Sequence, residues 1–174
     1  MSEIREIFQR ITERYQIPVR IGSRCEATTY YRVDALMPSD LEVCASYIAE
    51  RILKVCHPHH PELLVQLPGS YTGLVEILSK ELAAPGETLE VLPYEKILPG
   101  NGVTKKIKNT PVVLVNDVIT TARSCVEAHT KITMMGASIL CWAALIDRTF
   151  GPGPVPVITA FTGEPVTLLE SKLG

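Results

Sequence analysis

Two apolar runs, Val112–Val115 and Ala137–Ile146, constrain this chain more than any other feature. Neither alternates with polar residues, so neither has a face to show to water. A strand of that kind lies inside a sheet covered on both faces, and such sheets are parallel. Parallel neighbours need a crossover, and the segment between the runs supplies one. Residues 125–135 read as a helix, with Gly136 placed just past its end. Ser124, Cys125, Val126 and Glu127 fit a capping box, which predicts Ser124 as the cap of that helix.

The same alternation runs upstream. Ile4, Ile7, Phe8 and Ile11 predict an amphipathic helix over 3–15, stopped by Pro18. Residues 28–36 are β-branched and aromatic and predict a strand. Pro38 opens a helix to about residue 55. "ELLVQL" reads as a buried strand, "PGSYTG" as a turn and "LVEILSKEL" as a helix. Residues 88–92 offer another strand, and 93–111 a polar, basic, mobile loop. One or two edge strands are expected after the Gly/Pro-rich connector 151–156. The fold class is therefore α/β, one domain over 1–174, with helices on both faces of a parallel sheet.

Composition excludes several classes. The net charge is −2, with no long run of like charge, so nucleic acid is not an expected partner. The longest apolar run is about half the ~20 residues that span a bilayer, so no membrane span is expected. Five cysteines without a C-x-x-C spacing, behind a charged and helical opening segment, predict reduced thiols in a cytoplasmic protein. Cys56, His57, His59 and His60 crowd one loop. The prolines at 58 and 61 make that loop read as a connector more than a zinc site. His129 and Trp142 read as packing residues.

In an open α/β sheet, ligands bind beyond the carboxyl ends of the strands. Three turns fall there: 68–73, 93–111 and 116–124. In the last, Asn116 and Asp117 follow a buried strand, and Thr120, Thr121 and Ser124 lead into a helix. Free amides and the dipole at a helix start attract an anion. A carboxylate for hydroxyls beside an anion pocket suits a phosphorylated sugar. The competing reading is a turn in which Asp117 and the threonines satisfy only backbone.

The stretch VVLV-Asn116-Asp117-Val118-Ile119-Thr120-Thr121-Ala122-Arg123-Ser124 resembles the 5-phosphoribosyl-1-diphosphate (PRPP) signature of the type I phosphoribosyltransferases. "GSRCEATTYYRVDAL" and "LLVQLPGSYTGLVEIL" extend the resemblance, more weakly, toward the orotate branch over about residues 20–147. The resemblance implies a small hood from the N-terminal region, about 1–37, over a core at about 38–160. It implies PRPP and a nucleobase as substrates, pyrophosphate release, Mg²⁺ bound through PRPP rather than by protein ligands, and a homodimer. It also assigns residues. Asp117 and Asn116 would face the ribose. Thr120, Thr121, Ala122, Arg123 and Ser124 would wrap the 5-phosphate, and Gly69, Ser70, Tyr71, Thr72 and Gly73 the pyrophosphate.

The sequence also departs from that pattern. Asn116 stands where the family has an acid. It predicts roughly tenfold weaker support of a cationic transition state, recoverable in Asn116→Asp, because charge-assisted bonds exceed neutral ones by about 1 kcal/mol. Ala122 and Arg123 replace small residues, and Arg123 is either a phosphate ligand or a plug. Thr72 replaces a frequent lysine. Residues 93–111 offer Lys96, Lys105, Lys106 and Lys108 but no arginine or histidine. Lys96 is then the candidate catalytic cation, or a solvated lysine. Tyr30 or Tyr31 would stack on the base, and Arg20 and Arg24 would meet an acidic one, unless they are surface arginines. The expected function is slow phosphoribosyl transfer to an orotate-like base. The alternative is a catalytically weak or inactive PRPP- or nucleotide-binding regulatory protein on the same fold.

Overall fold

A computed structural model describes residues 2–21, 25–97, 107–149 and 152–169. The two apolar runs are neighbouring parallel strands, β5 (Pro111–Ile119) and β6 (Ser138–Asp147), with Val113 opposite Cys141 and Ile119 opposite Asp147. Ahead of them come α1 (Ser2–Arg10), β1 (Thr12–Ile21), β2 (Cys25–Tyr31), α2 (Pro38–Cys56), β3 (Leu63–Gln66), α3 (Thr72–Glu81) and β4 (Glu90–Pro93). The crossover between β5 and β6 is α4 (Arg123–Met134), and β7 (Val157–Thr162) and β8 (Thr167–Leu168) follow.

The main sheet has five strands in the order β4-β3-β5-β6-β7, all parallel. One face packs Val113, Val115, Cys141 and Ala143 against α2 and α3, through Cys44, Ile48, Ile52, Leu74 and Leu78. The other packs Val112, Leu114 and Trp142 against Cys125, Ala128 and Ile132 of α4. The all-apolar reading of β5 and β6 follows from this two-sided burial. A second, three-stranded antiparallel sheet has the order β1-β2-β8; we call it the hood, and it draws its third strand from residues 167–168, outside the 1–37 expected for it.

Several boundaries differ from the sequence expectation. The first helix ends at Arg10, and Thr12–Ile21 is a strand that contains Pro18. The ladder with β2 breaks between Arg14 and Val19, so the proline sits in a bulge where no ladder hydrogen bond is required of it. The strand expected over 28–36 stops at Tyr31, and Val33–Ala35 is a 3₁₀ turn. β5 does not stop at Val115 but runs through Asn116 and Asp117 to Ile119. The capping box does not form. α4 starts at Arg123, its N-cap is Ala122 in a left-handed conformation, and Ser124 lies inside the helix without a side-chain cap bond. Gly136 does follow the helix end, at φ +90°.

Candidate functional site

The strand order places β3 and β5 side by side, while their crossovers leave in opposite directions toward β4 and β6. This is a topological switch point, where loops diverge and open a crevice. The loops after β3 and β5 flank it. They are stitched together: Leu67 N–H donates to Val115 O at 3.0 Å, and the Ser70 hydroxyl lies 2.6 Å from Leu67 O and 3.0 Å from Val115 O.

The loop after β3 contains Gly69 at φ +81°, a left-handed turn that glycine adopts without strain. Ser70 is buried and uses its hydroxyl inside the protein. Tyr71 caps α3 in position only and is exposed. Thr72 receives a hydrogen bond from Gln66 Nε2 at 3.4 Å. A Cβ on Gly73 would sit 3.0 Å from both Leu41 Cδ2 and the Tyr71 ring, so this helix start packs too closely for a side chain.

Along β5, alternation puts Asn116 and Asp117 on opposite faces. Asn116 is buried on the α4 side. Its Oδ1 accepts the Asp117 N–H at 2.9 Å, and its side chain reaches the Cys125 thiol, which burial pushes up to about 11. Asp117 lies on the other side and lines a cleft of about 340 Å³ with Val118, Thr120, Tyr30, Tyr31 and Arg148. Burial raises the Asp117 carboxyl, against hydrogen bonds from backbone such as Val118 N–H at 2.7 Å, which lower it.

Past β5, Thr120 lines the cleft while Thr121, Arg123 and Ser124 are exposed around the α4 start. Ala122 holds φ 56° as the N-cap of α4, whose first amides have no partner within the helix. Arg123 Nε pairs with Glu127 Oε1 at 2.8 Å along the helix, and its side chain is 59% exposed. Arg123 therefore plugs nothing in this arrangement.

Lys96 is exposed on the 3₁₀ turn Tyr94–Ile97 and does not line the cleft. Lys108 packs near Gly136 at the far end of α4. Lys105, Lys106, Arg24 and residues 98–106 of the loop at 93–111 lie outside the described residues. Of the two tyrosines, Tyr31 is buried, edge-on to Phe161, and Tyr30 is half-exposed at the cleft rim. Among the described residues no three His, Cys, Asp or Glu side chains converge to hold a metal, so Cys56, His57, His59 and His60 gather none. All five cysteines are free thiols. No described helix is long and apolar enough to cross a membrane.

The residue that sequence reasoning missed is Arg148. It follows β6, is 2% exposed, and lines the cleft opposite Asp117. Nε donates to Glu164 O at 2.7 Å and Nη2 to Thr29 Oγ1 at 3.0 Å, with the Tyr31 ring 5.1 Å away. It forms no ion pair among the described residues, and burial pushes its pKa down. The charged pair Asp147-Arg148 directly after a long apolar run was the available signal. The cleft thus joins the Asp117 carboxylate, Thr120 on the approach to α4 and the buried Arg148 guanidinium.

No protein-family model matches the chain, and no curated protein matches it. Solved structures do resemble it. An orotate phosphoribosyltransferase from Aeropyrum pernix superposes with a TM-score of 0.61 at 18% identity, over 91% of this chain and 92% of that one. The orotate phosphoribosyltransferase of Francisella tularensis gives 0.61 at 18%, over 92% and 84%. HGPRT-ase from Leishmania tarentolae, solved with GMP, gives 0.55 at 16%, over 73% and 79%. The chain has the type I phosphoribosyltransferase fold. Within that fold, the two orotate enzymes align with more of it than does the HGPRT-ase.

Proposed function

We propose that this protein transfers the ribose 5-phosphate group of PRPP to an acidic, orotate-like nucleobase and releases pyrophosphate. The observation that carries the reading is the cleft that holds Asp117 and Thr120 together with the buried Arg148, which makes no ion pair among the described residues. Asp117 accepts hydrogen bonds from the ribose hydroxyls. The α4 start, with Thr120, Thr121 and the amides after Ala122, takes the 5-phosphate. The Gly69–Gly73 loop offers amides to the pyrophosphate, and Arg148 meets the anion of the base. A base nitrogen forms its bond to C1 as the bond from C1 to the pyrophosphate oxygen breaks, and the nitrogen gives up its proton. Positioning and electrostatics carry such a step.

Mg²⁺, carried on PRPP's own oxygens, would neutralise charge on the leaving pyrophosphate. Asp117 is a hard oxygen group that fits beside such an ion. We place the protein in the cytoplasm, on the strength of its free thiols, and as a homodimer, on the resemblance to the family.

A second reading is a catalytically weak or inactive PRPP-binding regulatory protein. It is favoured by Asn116 facing away from the cleft and by Arg123 being tied to Glu127. One assay separates the two: base consumption and pyrophosphate release with Mg²⁺, PRPP and, in turn, orotate, uracil, hypoxanthine and adenine. Turnover preferring orotate is expected. Tight PRPP binding by calorimetry with no turnover on any base leaves the regulatory reading, and no PRPP binding at millimolar ligand defeats both.

A further inference from the structure

The guanidinium of Arg148 is held in an unusual way. Both of its hydrogen-bond acceptors are neutral: the Glu164 carbonyl and the Thr29 hydroxyl. A carboxylate in either place would fix the side chain but cancel its charge. Neutral acceptors fix it and leave the charge intact, since a guanidinium does not lose its proton in proteins. Nη1 has no hydrogen-bond partner among the described residues, so one edge of the fork remains to be satisfied. The Glu164 carboxylate, itself paired with Arg14, acts on this buried cation only through space, so an anion reaching Nη1 would be its first direct charged partner among the described residues. The Tyr31 ring limits movement of the guanidinium plane from the side, and the Tyr31 hydroxyl accepts the Glu164 N–H at 2.9 Å.

Thr29 is the adjustable part of this clamp. It is 1% exposed on β2, in the hood, whereas Arg148 leaves β6, in the core. The two lie 119 positions apart in the chain. Its hydroxyl is the described hood side chain that hydrogen-bonds Nη2, the nitrogen sharing the fork with the free Nη1. We propose that Thr29 is a positioning residue that aims Arg148 at the anion of the base and so sets the preference for a carboxylated over an uncharged base. This rests on the reading of the cleft as a base site. It adds that the selectivity resides in a buried hood hydroxyl as well as in the arginine.

The test uses two nucleotides that differ by one carboxylate, orotidine 5′-monophosphate and uridine 5′-monophosphate, titrated into the full chain by calorimetry. Wild type should bind the carboxylated nucleotide more tightly. Thr29→Val keeps the shape and removes the hydroxyl. It should weaken the carboxylated nucleotide by about tenfold, the scale of one hydrogen bond to a charged group, and leave the other within twofold. Thr29→Ser should restore the preference. Thr29→Ala gives the same split if the valine variant misfolds. Equal weakening of both nucleotides would make Thr29 merely structural and overturn the proposal while leaving the base site standing, as would no change in either. A wild type that binds both nucleotides alike, or neither, overturns the acidic-base reading itself and this proposal with it.

Discussion

At position 122 an L-residue holds φ 56° and ψ 1°. The left-handed conformation costs a non-glycine residue roughly 1–2 kcal/mol. Ala122→Gly removes that cost, and the freer unfolded glycine returns about 0.5–1 kcal/mol of it. A net gain of up to about 1.5 kcal/mol is expected, read as a higher urea midpoint with an unchanged slope. Asp117 carries strain of another kind. Burial raises its folded pKa above the ordinary 3.8, so the neutral form fits the fold better than the charged one. The stability linked to this group is complete below the unfolded pKa and is lost as pH rises through the folded value. Asp117→Asn should therefore be more stable than wild type at pH 7, with the advantage fading toward pH 3, while Mg²⁺-PRPP binding is abolished. Equal stability at both pH values would contradict this. Asn116 behaves differently from its sequence expectation. Its side chain lies against Cys125, away from the cleft, so Asn116→Asp should lower stability by about 1–3 kcal/mol and not accelerate transfer.

The helix start at α4 shows how element boundaries were and were not legible. The S-x-x-E spacing is present, but Ala122 adopts the left-handed turn and begins the helix at Arg123, so Glu127 meets Arg123 in place of the Ser124 amide. Pairing four residues apart is an ordinary surface interaction, and Glu127→Gln should release Arg123 toward the anion site. Affinity for ribose 5-phosphate should then rise, and Arg123→Gly should reduce it by about 1–3 kcal/mol in calorimetry. β3, β5, β6, α2 and α3 were readable because apolar periodicity records two-sided or one-sided burial directly. The α1–β1 junction was not. The helical spacing ends at Ile11, and Pro18 suggested a terminator, whereas the break in the ladder after Arg14 accommodates it within a strand. The placement of Asp117 and Thr120 at the carboxyl end of β5 followed from local pattern. For Arg148 the sequence signalled only a charge after an apolar run; its contacts come from Thr29 and Glu164, which are remote in sequence.

Taken whole, the molecule closes its cleft along one seam between hood and core. Gly163 sits there, and a Cβ on it would lie 3.0 Å from Ile146 Cγ2 and 3.0 Å from the Tyr31 ring and hydroxyl. Gly163→Ala should cost about 1–3 kcal/mol through overpacking. It should also weaken nucleotide binding, since the seam carries Tyr31 and Glu164 against Arg148; a variant with full stability and full affinity would show that the seam yields freely. The hood takes its third strand, Thr167–Leu168, from beyond β7, opposite Glu26 and Cys25, with Val166 buried beside Cys25 and Ala27. During synthesis, then, the β1–β2 hairpin leaves the ribosome early and has no completed sheet to join. Arg148 emerges before the carbonyl that orients it, and the small sheet gains its third strand only when Leu168 has been added. A growing chain stalled between Thr162 and Thr167 would present a finished main sheet beside a small sheet that still lacks its third strand.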